Sequence, residues 1–219
     1  TTLFRSWSGE SFKEADFVTR DGKRFEKALS NGEAKRVLVN KWDNVKIKKE
    51  YVYDLTRQYE GKILTDYVLV NGKEIGLGSI PFEFGKVRIY QDDGKGTAAF
   101  TGEDWGQFTP IGDEMRLNIG TSQDIKVEFK KMVNDVTNRR GNVYDTDELD
   151  QYEIKNFKDN EVVLTLVLRV DGEWEMQKDS SGYESIERID NETVKVKVKA
   201  PPKGAPVLLK FHYQRKDVW

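Results

Sequence analysis

The chain has 219 residues, of which 34 % are charged, 37 % hydrophobic and 11 % aromatic. That length buries a sizeable core in one large β-domain or two small ones, and the apolar content excludes a wholly disordered polymer. A net charge of −2 gives no general electrostatic reason to bind nucleic acid or an anionic membrane, and the lack of cysteine excludes disulfides and thiolate metal sites.

Residues 1–36 are the least strand-like part. Ser11-Phe12-Lys13-Glu14 fits a capping box, Phe25, Ala28 and Leu29 share a helical face, and Ser30-Asn31-Gly32 supplies a stop. Short helices are expected there, as an N-terminal extension ahead of a single β-domain over 37–219. Arg36 to Lys48, RVLVNKWDNVKIK, predicts a first strand kinked near Trp42. Tyr51 to Val70 reads as β-rich around a polar insert at Leu55 to Lys62. Asn71-Gly72 then signals a turn, and Gly76, Gly78 and Pro81 make the next segment a loop.

Phe82 to Gly120 reads as three successive antiparallel strands forming a β-meander, with a hairpin turn at Asp93-Gly94. Ile125, Val127 and Phe129 alternate with charged residues as a further half-buried strand, whereas Asn134 to Asn142 is polar and aperiodic and predicts a loop. Glu161 to Val170 is apolar on both faces and should lie centrally, with Trp174 and Met176 starting a strand that pairs back on it. Lys178 to Gly182 reads as an exposed turn. Val194, Val196 and Val198 alternate with lysines that would guard an edge, and Val207, Leu209, Phe211 and Tyr213 form the last strand. With no helices long enough for parallel crossovers, the class is all-β: an antiparallel β-barrel, with a β-sandwich as the alternative.

Charge is unevenly spread. Tyr144 to Glu187 carries 13 acidic against 4 basic side chains and Arg188 to Trp219 carries 8 basic against 3 acidic, a pattern open to attraction between the two segments but read first as the solvated faces of neighbouring strands, with a charged partner surface as the alternative.

The residues of catalysis are poorly represented. His212 is the single histidine, so an imidazole metal site or catalytic base lacks partners of its own kind. Asp145, Asp147 and Asp150 resemble the opening of a calcium loop, but the glycine and distal glutamate that such a loop needs are missing, and an acidic strand or helix cap fits better. Glu103-Asp104 and Asp92-Asp93 supply carboxylate pairs of the kind glycosidases use, though turn chemistry explains the second without catalysis. No catalytic residue, metal ligand or cofactor is assigned. Trp42, Trp105 and Trp174 are either core anchors or the walls of an apolar pocket. The expected arrangement buries Trp42 and Trp105 at one end of a mostly filled barrel, with Leu117, Phe129 and Leu166 as neighbours around a narrow apolar cup. Trp42, Trp105, Phe129 and Trp174 are therefore the candidate ligand-binding residues.

The order of motifs over about residues 37–215 resembles the lipocalin-like β-barrel lipoproteins of Bacteroidota-type bacteria. The motifs are VLVNKWDNVKI, VRIYQDDGKGTAAF, DWGQFTPIGDEMRLNI, DQYEIKNFKDNEVVLTL and the aromatic closing strand LLKFHYQRK. The resemblance implies a non-enzymatic, exported binding or structural module of the cell envelope. It would sit in the periplasm or at the outer-membrane surface and reach the membrane only through a lipid anchor outside this chain. Its expected partners are a small apolar ligand or a glycan, or an envelope protein that it serves as an accessory subunit. A start at Thr1 without methionine reads as an arbitrary boundary or as removal of a leader, and the latter would mean export.

Overall fold

The computed structural model describes residues 3–5, 41–57, 62–92 and 94–219. The helices expected within 1–36 fall outside them. Strands account for the described architecture, with two single 3₁₀ turns at Leu55–Arg57 and Lys73–Ile75 and no α-helix among the described residues. In chain order the strands are β1 Leu3–Arg5, β2 Lys48–Asp54, β3 Ile63–Val70, β4 Gly85–Asp92, β5 Ala98–Gly106, β6 Glu114–Ser122, β7 Ile125–Arg140, β8 Val143–Asn156, β9 Val162–Arg169, β10 Glu173–Met176, β11 Ser185–Arg188, β12 Thr193–Ala200 and β13 Pro206–Val218.

They form three sheets, ordered β1-β4-β5, β10-β13-β8-β7 and β11-β12-β9-β2-β3-β6. The all-β class expected from the alternating sequence is present, but the sheets do not close into a barrel. One pairing also departs from the antiparallel rule: β2 runs parallel to β9, Tyr51 opposite Leu164 and Tyr53 opposite Leu166. No tight turn constrains these two strands, because everything from Leu55 to Glu161 lies between them, and a parallel pair requires such a long crossover.

The chain divides into two compact units, one comprising 1–47 and 69–117 and the other 48–68 and 118–219, so one dividing point falls at the start of β2 and the other two inside β3 and β6. In the larger unit the inward residues of two sheets share one core. Leu164, Leu166 and Leu168 of β9 stand opposite Val198, Val196 and Val194 of β12. These join Tyr152 and Ile154 of β8 and Leu209, Phe211 and Tyr213 of β13. The arrangement is consistent with a β-sandwich. As expected, β9 is an interior strand, between β12 and β2, although the opposite face of β9 is only partly covered at Val163. β12 is interior as well. Its lysines face solvent from an internal strand, and the edge position belongs to the four-residue β11.

Three other expectations are corrected. Residues 134–140, expected as a loop, continue β7, which runs 16 residues against β8. They carry no apolar period because β7 is an edge strand exposed along most of its length, so nothing selects apolar side chains. β10 pairs with β13, Trp174 opposite Arg215, and not with β9, because the turn after Val170 carries the chain into the other sheet. Residues 41–47 are not strand at all, and Asn44 has φ 58° there.

The expected strands β4, β5 and β6 are present, the smaller unit holding β4, β5 and the start of β6, but they do not make one meander. β6 leaves β5 and lies beside β3. Asn71, fully buried at the end of β3, explains the switch. Its backbone N–H donates to Asp113 O at 2.7 Å and its carbonyl accepts from Gly112 N at 2.8 Å, drawing the start of β6 to β3. Phe82 and Thr109 exchange two backbone bonds of 2.9 Å across the intervening loops. The core of this unit includes Leu69, Leu77, Phe82, Val87, Ile89, Met115 and Leu117.

Candidate functional site

The β4–β5 hairpin presents one apolar and one decorated face. Val87 and Ile89 of β4 point inward. On the same side of β5, Gly106 lies so close to its neighbours that a Cβ would stand 3.1 Å from both Val87 Cγ2 and Met115 Sδ. Strand side chains alternate with period two, so the close approach of Gly106 sends Trp105 to the opposite face.

On that outer face Trp105 stands opposite Lys86, Glu103 opposite Arg88, and Phe100 opposite Tyr90 across a β-bulge. Phe84, just before β4, stacks on Trp105 with centroids 5.3 Å apart and planes at 10°. The Lys86 ammonium lies 5.4 Å from the indole centroid. Glu103 binds both cations, accepting from Lys86 Nζ at 2.8 Å and from Arg88 Nε at 3.2 Å. These two bonds, Lys86 first and Arg88 second, hold its carboxyl below the usual range. Tyr90 and Phe100 meet edge to face at 5.6 Å. Phe84, Phe100 and Trp105 are 53 %, 57 % and 51 % exposed. The face therefore carries an aromatic station at each end and a three-residue ion network between them.

The four candidate ligand-binding residues are divided between the two units. Trp105 is exposed on the hairpin, which corrects its expected burial beside Trp42. Trp42, half-buried in the non-strand segment, packs edge-on against Phe82 at 5.8 Å. Both belong to the smaller unit, whereas Phe129 and Trp174 belong to the larger one. Phe129 is exposed on β7 with its ring 5.1 Å from Tyr152. Trp174 is the one core anchor among the four. It is 5 % exposed, edge-on to Phe211 at 5.9 Å, with its Nε1–H donating to Asn191 O at 2.8 Å and the Arg188 guanidinium 4.5 Å from its ring.

Phe84, Lys86, Arg88, Tyr90 and Phe100 are not singled out by the sequence, and Glu103 stands out there only as half of a carboxylate pair with Asp104. One signal was available: Phe84 and Tyr90 share the phase of Lys86 and Arg88, opposite to that of Val87 and Ile89, which places rings on the solvent side.

A second polar constellation lies inside the larger unit. Glu148, 2 % exposed on β8, is bonded to Lys131 Nζ, to Arg215 Nε at 2.7 Å and to Thr146 Oγ1 at 2.8 Å. The Tyr213 hydroxyl stands 3.0 Å from Glu148 and 3.3 Å from Asp150. The Arg215–Glu148 pair realises the attraction left open between the acidic and basic segments. Burial alone would raise the Glu148 pKa, but Lys131, Thr146 and Arg215 outweigh it and bring the carboxyl to about 2. Burial pushes Asp150 up. Two carboxyls driven apart resemble an acid–base pair, yet both are buried and Glu148 is committed to Lys131, Arg215, Thr146 and Tyr213, bonds that tie β7, β8 and β13 together. Asp145 and Asp147 share the other phase of β8 from buried Asp150, so the three carboxylates do not converge as a calcium loop would require.

On the outward side His212 bridges two carboxylates, Nδ1 to Asp179 at 2.6 Å and Nε2 to Asp147 at 3.1 Å. Partial burial disfavours the imidazolium, but these carboxylates prevail and raise its pKa. A raised folded value stabilises below the unfolded pKa of about 6.5 and is lost as pH rises through the folded value; the depressed Glu148 stabilises above about 4.5 and is lost as pH falls through about 2. A thermal-midpoint profile against pH should accordingly fall on both sides. His212→Asn should flatten the high-pH limb only, and Glu148→Gln the limb between pH 4.5 and 2 only. A variant profile parallel to that of the unaltered protein would remove the assignment.

The fold and surface thus define an all-β protein with an exposed aromatic and charged hairpin face. No family model, no curated protein and no solved structure matches this chain.

Proposed function

We propose that this chain is a non-enzymatic binding module of the cell envelope of a Gram-negative bacterium, and that it makes contact through the outer face of the β4–β5 hairpin. The observation that carries the reading is the pair of aromatic stations on that face, exposed Phe84 stacked on exposed Trp105, and exposed Phe100 edge-on to half-buried Tyr90. Leaving apolar rings in water forgoes roughly 25 cal/mol for each Å² that burial would remove. Contiguous rings left out in this way mark contact surfaces. The larger unit is read as a filled β-sandwich that supports the chain and not as a hollow ligand-binding barrel. Trp174, for which the sequence left both a core anchor and a pocket wall open, is packed among Phe211 and Tyr213. Export, and anchoring by a lipid outside the chain, are supported by the resemblance in motif order.

Hydroxyl-radical footprinting in a detergent extract of a Bacteroidota envelope tests the surface. Oxidation of Phe84, Phe100 and Trp105 should slow relative to buffer, while oxidation of exposed Phe129 and Met132 in the larger unit stays unchanged. Equal oxidation with and without extract at all five residues would count against a binding role for this face.

A further inference from the structure

Taking the β4–β5 outer face as the contact surface, we infer that its occupant is an extended, neutral glycan chain. The first argument is dimension. Phe84, just before β4, and Tyr90 within it are six residues apart along the chain, a separation of about 20 Å at the rise of a β-strand. The sheet that carries this face is only three strands wide, with the three-residue β1 beside β4, so a chain-like ligand fits it better than a globular partner, whose stable interface needs on the order of 800 Å² from each side. The second argument is the chemistry of the middle. Lys86 and Arg88 are already neutralised in part by Glu103, with all three side chains between 38 % and 40 % exposed. The ammonium and guanidinium have more N–H donors than the single bond each gives to Glu103.

An apolar protein surface pressed onto this network would strip water from three charges at a desolvation cost. A polyol keeps them hydrated in kind, its hydroxyls accepting from the remaining N–H groups and donating to the carboxylate. The apolar C–H faces of sugar rings meanwhile meet the aromatic stations at the ends. The network keeps one net positive charge, which solvent and salt screen at 38 % to 40 % exposure, and the hydroxyls of a neutral polyol satisfy its spare N–H groups.

Affinity electrophoresis of the whole protein in native gels containing hydroxyethylcellulose, xyloglucan, laminarin, galactomannan or amylopectin tests the proposal. Migration should be retarded by at least one of the five. Trp105→Ala and Phe100→Ala should each weaken that retardation by about tenfold, with Phe129→Ala behaving as the unaltered protein. Because Trp105 and Phe100 are exposed, both variants should keep their fold, checked by circular dichroism. Retardation by none of the five, or retardation that Trp105→Ala leaves intact, overturns the glycan assignment. Treating the envelope extract with periodate or with protease separates the two readings. A footprint that survives periodate but not protease leaves the contact surface standing with a protein occupant and rejects the glycan. A footprint lost only to periodate supports it, and no footprint in untreated extract rejects both.

Discussion

Replacing Asn71 with Ala is expected to destabilise the protein by about 3 to 5 kcal/mol, among the largest effects a single substitution produces here. Its carboxamide joins three stretches of chain. Nδ2 donates to Ile80 O at 2.9 Å and to Thr109 O at 3.2 Å, and Oδ1 accepts from Gly78 N at 3.0 Å. Truncation at this fully buried position takes the side-chain partner from Ile80 O and from Gly78 N–H, and leaves Thr109 O with its bond from Phe82 N–H alone; each orphaned group costs about 1 to 3 kcal/mol when water cannot reach it. Asn71→Asp should be no better, since it keeps the acceptor but aims a carboxylate at two carbonyl oxygens. Amide exchange gives the local readout: Gly78, Phe82 and Thr109 should lose protection first. A urea-melt change under about 1 kcal/mol for Asn71→Ala would show that the carboxamide is not what joins these loops.

The second large effect is at Trp174, where Ala should cost about 3 to 5 kcal/mol, the usual range for a buried aromatic. The ring packs on Phe211 and Tyr213, and its N–H is satisfied by Asn191 O. Truncation opens a cavity between β10 and β13 and removes the surface over which Arg188 lies. The informative comparison is Trp105→Ala. The same substitution in a ring that is half exposed should cost less than about 1 kcal/mol. Urea melts of the two variants side by side check the assignment, and equal losses would mean that Trp105 is a core residue after all.

That contrast shows what the sequence made legible. Alternation located strands well where one face is buried: Val194, Val196 and Val198, or Leu209, Phe211 and Tyr213, are buried at 0 to 5 % exposure, as their spacing required. It could not say which strands pair. Asn71-Gly72 reads correctly as a turn, but the reach of the Asn71 side chain to Thr109, 38 residues away, has no local signature. The extension of β7 through Arg140 was hidden because its stability comes from ladder bonds to β8 and not from burial. The candidate face was half legible. Trp105 was named as a ligand-contacting residue, but it was assigned to the interior because a Trp on a strand is more often core. Gly106, whose close approach to Met115 and Val87 fixes the phase of Trp105, looks in sequence like any strand-ending glycine.

The role of the β4–β5 face is tested most directly by surface plasmon resonance on an immobilised Bacteroidota envelope extract, with the intact protein and the Phe84→Ala/Trp105→Ala double variant compared at equal thermal midpoints. The unaltered protein should bind saturably and the double variant at least about tenfold more weakly, the loss of one 1.4 kcal/mol increment or more. Indistinguishable binding by the two, or no binding by either, would contradict a contact role for this face.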